Sequence, residues 1–396
     1  MKKKIFIDND GGADDFVAIQ YAFLSKKFDV KGISLVPGNT KVENVKQNVF
    51  KALEMSNVSP EDAKKVGIFI PEKVKEDIES DGAFGDNGLG GVRYKKAVGY
   101  EADPSIKAEK RMVDIVNENP GEISIIAIGP LTNIATAIDK DPSFVKNVKE
   151  IVIMGGDEGG GNIRPYAEFN VFQDPEAAKK VFEAGFKKIT MIGFNVSKYV
   201  TLCPEVERFL KQNGEYGDFI YRITRDTAKL DRWKNKVDGA SMNDILTLMY
   251  LDNENLFKTK KADVEVEVDT ETRGRTLVKN GTSIDVVTNA DGERILREML
   301  TTLFPGKENE IEEVLDYREG RMASRDYLLQ MLPGRREEIL KCCNEEYSVD
   351  LMDKMRDFIK IAKARAAASG PSASTALTTP VAPASIPTIE ETGIER

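Results

Sequence analysis

Asp8-Asn9-Asp10-Gly11-Gly12-Ala13-Asp14-Asp15 places four carboxylates within eight residues, where an apolar run (Ile5-Phe6-Ile7) gives way to a helical one. Phe16, Ile19, Gln20 and Phe23 recur at helix spacing, so Asp14 and Asp15 fall in the first turn of that helix. Gly11 and Gly12 supply the tight bend between strand and helix. In open α/β sheets, ligands bind beyond the carboxyl ends of the strands, where this turn lies. Charges this close repel strongly unless a cation sits among them or some are protonated. A hard divalent cation with oxygen ligands is the economical reading. Helix capping competes with it, because a helix N-terminus itself favours negative charge, and it competes more for Asp14 and Asp15 than for Asp8 and Asp10.

Other acidic or glycine-rich motifs fit less well. An EF-hand loop starting at Asp8 would need Asp or Asn at Gly12, Gly at Ala13 and Glu at Ile19. The dinucleotide and P-loop fingerprints are missing here, and the carboxylates would repel phosphate. The closer rival is an aspartate-based phosphatase of the haloacid dehalogenase type. Asp8 and Asp10 would be its D-x-D, and Gly85-Asp86-Asn87 faintly echoes its later acidic motif.

At 396 residues the chain can bury a sizeable core, and 41% hydrophobic with 31% charged residues is ordinary for a globular protein. A net charge of -9 argues against nucleic acid or an anionic membrane as partner. No run is long enough to span a bilayer, and Lys2–Lys4 precede too few apolar residues for a signal peptide. Three scattered cysteines (Cys203, Cys342, Cys343) predict a reduced, cytoplasmic setting. The chain has no histidine, which excludes any mechanism built on a histidine acid, base or ligand.

Short β-branched runs alternate with helical patterns. Candidate strands are Ile5–Asp8, Val30–Val36, Gly67–Ile70, Ile123–Ile128, Glu150–Met154 and Ile189–Ile192; candidate helices lie near Asp14–Leu24, Val42–Met55, Lys107–Asn117, Leu131–Asp139, Pro175–Ala184 and Pro204–Lys211. This predicts an α/β fold, an open, mostly parallel (Rossmann-like) sheet flanked by helices. A further helix follows Asn243-Asp244, while Val264–Val268, Thr276–Val278 and Ile284–Val287 predict a small antiparallel β addition at the edge. The character changes at Pro305-Gly306, which divides the chain into 1–305, the α/β domain, 306–368, a charged helical extension, and 369–396, a Ser/Thr/Pro/Ala-rich disordered tail.

Later polar segments open on the same rim. Gly155-Gly156 through Gly161-Asn162 forms a glycine-rich turn after a buried strand, followed by Ala167-Glu168-Phe169-Asn170 and the helix start Asp174-Pro175. In an extended chain Glu168 and Asn170 project to one side, a carboxylate and an amide suited to a diol. An ordinary solvated loop explains that segment equally well. Leu131-Thr132-Asn133 and Asn243-Asp244 read as helix caps, and Trp233, among Lys229, Asp231, Arg232 and Lys234, as either a packing anchor or a stacking residue.

Together these stretches resemble the inosine–uridine-preferring nucleoside hydrolase family. Its D-x-D-x-G-x-D-D opening matches Asp8, Asp10, Gly12, Asp14 and Asp15. Gly38-Asn39, Gly129-Pro130-Leu131-Thr132-Asn133, Met154-Gly155-Gly156, Gly161-Asn162, Ala167-Glu168-Phe169-Asn170 and Asp174-Pro175-Glu176-Ala177-Ala178 follow in the family's order. The resemblance runs from about Ile5 to Val287, whereas the phosphatase shares only the first few residues.

The resemblance implies a calcium-dependent N-ribohydrolase that yields ribose and a free base. Asp10, Asp15, the main-chain carbonyl of Ile128 and Asp244 would hold Ca2+, with Asp10 as general base and Asn39 orienting the nucleophilic water. Asp14, Asn162, Glu168 and Asn170 would grip the ribose, and Phe84, Met154, Phe169 and Trp233 would complete substrate contact. A homodimer or homotetramer is the expected assembly, with a small-molecule nucleoside as the partner. Two positions depart from the family, which commonly carries histidine where this chain has Asn243 and Phe84. Neither residue can give a proton to a departing base, which leaves Tyr166, Tyr221, Asp231 and water as candidate donors. A non-catalytic nucleoside- or ribose-binding protein on the same fold is the alternative.

Overall fold

The computed structural model describes residues 2–72, 74, 82–269, 271–336, 338–339, 357, 360–361 and 364. Eleven strands are defined among them: β1 (Lys3–Asn9), β2 (Phe28–Leu35), β3 (Ile68–Phe69), β4 (Ser124–Ile128), β5 (Glu150–Met154), β6 (Ile189–Ile192), β7 (Thr201–Leu202), β8 (Ala240–Ser241), β9 (Phe257–Val266), β10 (Thr276–Asn280) and β11 (Ile284–Ala290). Nine form one sheet in the order β10-β9-β11-β6-β5-β4-β1-β2-β3, and β7 pairs with β8 separately. From β11 through β3 every neighbour runs parallel; β9 pairs antiparallel with both β10 and β11. The expected α/β fold and its antiparallel addition are both present. The addition begins earlier than the acid/apolar alternation at Val264 suggested, because β9 starts at Phe257 with a run of exposed lysines and threonine.

Helices cover both faces, so the central strands are buried on both sides and read as continuous apolar runs. Ile5 and Ile7 of β1 face one core, and Phe6 faces the other. The chain runs from β1 out to β2 and β3 on one side and returns through β4, β5 and β6 on the other. β1 and β4 therefore flank the switch point, where a crevice opens beyond the strand ends. Pairing fixes what meets there: Asn9 lies level with Leu35 on one side and with Ile128 on the other.

Beyond the sheet, helix Gly292–Leu303 is followed by Glu308–Met331, which packs on Pro204–Gln212 and Gly292–Leu303 through buried Ile311 and Leu315. Glu308–Met331 falls within the segment expected to form a helical extension. Most of its remainder, and all of the expected tail from 369, lie outside the described residues. No helix among the described residues is long and apolar enough to cross a membrane.

Candidate active site

The acidic turn leaves β1 at the switch point. Asp10 and Asp15 are fully buried, and Asp14 and Asp244 nearly so. Asp15 Oδ2 accepts from Gly12 N at 2.8 Å and its Oδ1 from Asp10 N at 3.2 Å, so helix-start contacts account for part of this residue. They do not account for Asp14, whose Oδ2 accepts from Asn243 Nδ2 at 2.8 Å and whose Oδ1 has no partner. Asp244 stands at the N-cap of helix Ile245–Asp252, yet its side chain makes no capping hydrogen bond. The capping reading therefore fails for Asp244. Its carboxylate instead meets those of Asp14 and Asp15, with one oxygen from each lying within 4.8 Å of the others.

Asp10 is pinned from the next loop. Asn39 N donates to its Oδ2 at 2.9 Å, and Asn39 Nδ2 to its Oδ1 at 2.8 Å. Two glycines leave room for it: a Cβ on Gly38 would stand 2.0 Å from Asp10 Oδ2, and one on Gly129 would stand 3.0 Å from Asp10 Cβ. Asp8 points elsewhere. Its Oδ1 accepts from Ser34 Oγ and, at 2.8 Å, from Asn133 Nδ2, while Oδ2 has no partner. Asn133 also donates to the Leu35 carbonyl, so it ties helix Thr132–Lys140 to β1 and β2 and does not cap its own helix.

Electrostatics follow from this burial. Removal from water, then the charge of Asp15, hold Asp10 well above the usual carboxylate range. Burial and the charges of Asp14, Asp15 and Asp10 do the same for Asp244. Asp14 is pushed up to about 7 by burial and by Asp15, and burial raises Asp15 as well. Burial and like-charged neighbours favour the neutral form of each of these carboxyls. A divalent ion would reverse that balance. The donors are hard oxygens with no sulfur or imidazole among them, which suits calcium or magnesium better than zinc or copper. Among the described residues no other such group of ligands converges.

Above the carboxylates lies a cleft lined by Asp14, Asn39, Phe84, Ile128, Met154, Asn162, Glu168, Phe169, Asn170, Asn243 and Asp244. Asp10 and Asp15 sit behind its wall. Glu168 and Asn170 reach it differently from the extended arrangement expected, because Phe169–Gln173 is a short helix that Glu168 caps. The Glu168 carboxylate accepts from the backbone N–H of Gly156 (2.9 Å), Asn170 (3.0 Å) and Val171 (3.2 Å), and burial pushes it up to about 7. Asn170 Nδ2 donates to the Met154 carbonyl at 3.1 Å, and Asn162 Oδ1 accepts from Phe169 N at 2.7 Å. Trp233 is not brought in: it is 72% exposed and does not line the cleft.

Residues not singled out for the site complete the opposite wall: Ala83, Phe194, Thr227, Leu230, Lys234 and Asn235, beside Asp231. Most belong to helix Gly214–Leu230 and the wider π-helical turn Asp231–Asn235 that ends it. Their sequence signal is weak, because the charge run around Trp233 looks like any solvated helix end.

An acidic, metal-fitting cluster and a polar cleft thus lie together at the switch point of an open α/β sheet. The model of the family described as inosine-uridine preferring nucleoside hydrolase matches residues 5–297, and the chain belongs to that family. It is an enzyme of ribonucleoside hydrolysis. The pyrimidine-specific ribonucleoside hydrolase RihB of Escherichia coli O157:H7 is 32% identical over 269 residues, 67% of this chain and 84% of the relative. A plant nucleoside hydrolase, PpNRh1, superposes with a TM-score of 0.71 at 28% identity, covering 77% of this chain and all of that one. A purine-preferring ribonucleoside hydrolase from Gardnerella vaginalis gives 0.69 at 27%, covering 76% and 98%. One relative's name specifies pyrimidines and the other's purines, so resemblance alone does not assign the base.

Proposed function

We propose that this chain hydrolyses the N-glycosidic bond of ribonucleosides with calcium as its resident ion and Asp10 as general base. The observation that carries the reading is the burial of Asp10, Asp14, Asp15 and Asp244 together with raised proton affinity and a partnerless Asp14 Oδ1, an arrangement that a divalent cation would neutralise. Asp10, Asp15, Asp244 and the Ile128 carbonyl would hold the ion, with Asp14 beside them. When bound, it favours ionisation of a coordinated water and draws in the ribose hydroxyls.

The protein's own groups do the rest. Asp10 takes the proton of the attacking water, and Asn39, bonded to both its carboxylate oxygens, fixes the direction from which it does so. Glu168 and Asn170, each immobilised by backbone contacts, take the ribose hydroxyls with Asp14 and Asn162. As the C1′–N bond breaks, positive charge grows on the sugar, and the acidic lining favours it. Asn243 donates to Asp14 and stays an amide throughout. The catalytic unit is residues 1–305, with the helical extension appended to it. The test is free ribose from a mixed nucleoside panel. Release in calcium that stops on chelation and resumes on adding calcium back supports the reading; no release from any nucleoside overturns it.

A further inference from the structure

We infer that Asn48, which lies outside the cleft, is a positioning residue that sets Phe84 against the base of a bound nucleoside; the inference rests on the hydrolase reading above. Asn48 stands on helix Val42–Met55, 2% exposed, between the acidic turn and the loop that carries Phe84. Its Nδ2 donates to the Gly11 carbonyl at 2.7 Å and to the Asn87 carbonyl at 2.8 Å, and its Oδ1 accepts from the Tyr94 hydroxyl. Carbonyls can only accept, which fixes the end of the amide that faces them. Both N–H donors are thereby spent on tying the loop to the turn.

The loop is closed on itself, so a shift at Asn87 is carried to Phe84. Gly90 N donates to the Phe84 carbonyl at 2.7 Å, and Asn87 Oδ1 accepts from Leu89 N at 3.0 Å and Gly91 N at 2.9 Å. Contact between loop and turn is direct at Gly88, whose φ is +79°. A Cβ there would stand 2.5 Å from the Gly11 carbonyl oxygen and 2.9 Å from Asn48 Nδ2. Thr40 Oγ1, which donates to the Asp86 carbonyl at 2.7 Å, and Thr227 Oγ1, which donates to the Ala83 carbonyl at 3.0 Å, hold the loop on either side. Asn48 is the attachment that the loop shares with the acidic turn. Phe84 itself lines the cleft, where its ring offers a nucleobase a flat face, and such stacking is indifferent to which base is bound. It contributes to binding and not to bond breaking, so a misplaced ring raises KM and leaves kcat alone.

The experiment measures ribose release by Asn48→Leu, Phe84→Ala and the double variant beside the unaltered protein, on inosine and uridine with calcium present. Each single change should raise KM about tenfold, within the range of one base–aromatic stack, and leave kcat unchanged. Because Asn48 acts through Phe84, the double variant should also stand about tenfold above the unaltered protein, where independent effects would multiply to about a hundredfold. Tyr94→Phe removes only the hydroxyl bonded to Asn48 and keeps its ring against Phe219, so it repeats the cycle with a smaller change to the fold. Its KM rise should likewise vanish in the Phe84→Ala background, and this cycle decides alone if Asn48→Leu does not fold. An unchanged KM, a loss in kcat instead, or effects that multiply overturns the assignment. Absence of ribose release from any nucleoside by the unaltered protein instead overturns the hydrolase reading on which it rests.

Discussion

Gly38→Ala isolates the placement of Asp10 without removing any charge. A methyl at this position would stand 2.0 Å from Asp10 Oδ2 and 2.8 Å from its Cβ and Cγ, whereas ordinary contact begins near 3.4 Å. Gly38 is not among the glycines with positive φ, so alanine meets no backbone strain and the steric effect stands alone. The carboxylate cannot simply swing aside, because Asn39 N and Nδ2 hold its two oxygens and Asp15 lies against it. It must move by more than 1 Å, and a displacement of ~1 Å at a reacting group costs on the order of 10²-fold, or about 3 kcal/mol of barrier. Overpacking should also lower stability by about 1–3 kcal/mol. The assay is kcat for ribose release beside urea unfolding of the same preparation. Gly159→Ala, where a Cβ meets nothing within 4 Å, is the control and should change neither quantity. Turnover of Gly38→Ala at the unaltered rate would refute the placement of Asp10 as the base.

Calcium should raise the melting temperature by mass action, by about 2.7 kcal/mol of stability at a hundredfold excess over Kd; a melting curve indifferent to both calcium and chelator would contradict the site. Glu168 is raised from 4.5 to about 7 by burial, so its contribution to stability is present below pH 4.5 and is lost as pH rises through 7. Between pH 5 and 8 the unaltered protein should lose about 2–3 kcal/mol that Glu168→Gln does not lose, read by urea unfolding at both pH values. Arg318, on the helix beyond the family match, lies 3.7 Å from the buried Asp238 carboxylate, so Arg318→Ala should cost about 1–3 kcal/mol in the same unfolding assay.

The acidic turn was legible because its cause is local: a buried strand, two glycines and a helix start follow one another within a few residues, and β1 forms as read. The rim segments were legible for the same reason, since each strand of a parallel sheet ends on the same side. Asp244 was harder. As sequence, Asn243-Asp244 before a helix is indistinguishable from a cap, and only the fold sets it against Asp14 and Asp15, more than two hundred positions away. The Glu168–Asn170 spacing suggested an extended segment, but the carboxylate draws the following N–H groups into a helical turn. The opposite wall was the least legible part. Lys234 reaches the cleft through a π-helical widening at the end of Gly214–Leu230, a departure of backbone geometry that a charged helix end does not announce. Trp233, one residue away, faces outward by the same geometry.

The central claim is that the buried carboxylates hold an ion on which hydrolysis depends. Calorimetric titration of calcium into chelator-treated protein, with ribose release measured at each point, tests this most directly. The account predicts one ion per chain and activity rising in proportion to occupancy, both lost in Asp244→Asn. Full ribose release at zero occupancy would contradict it.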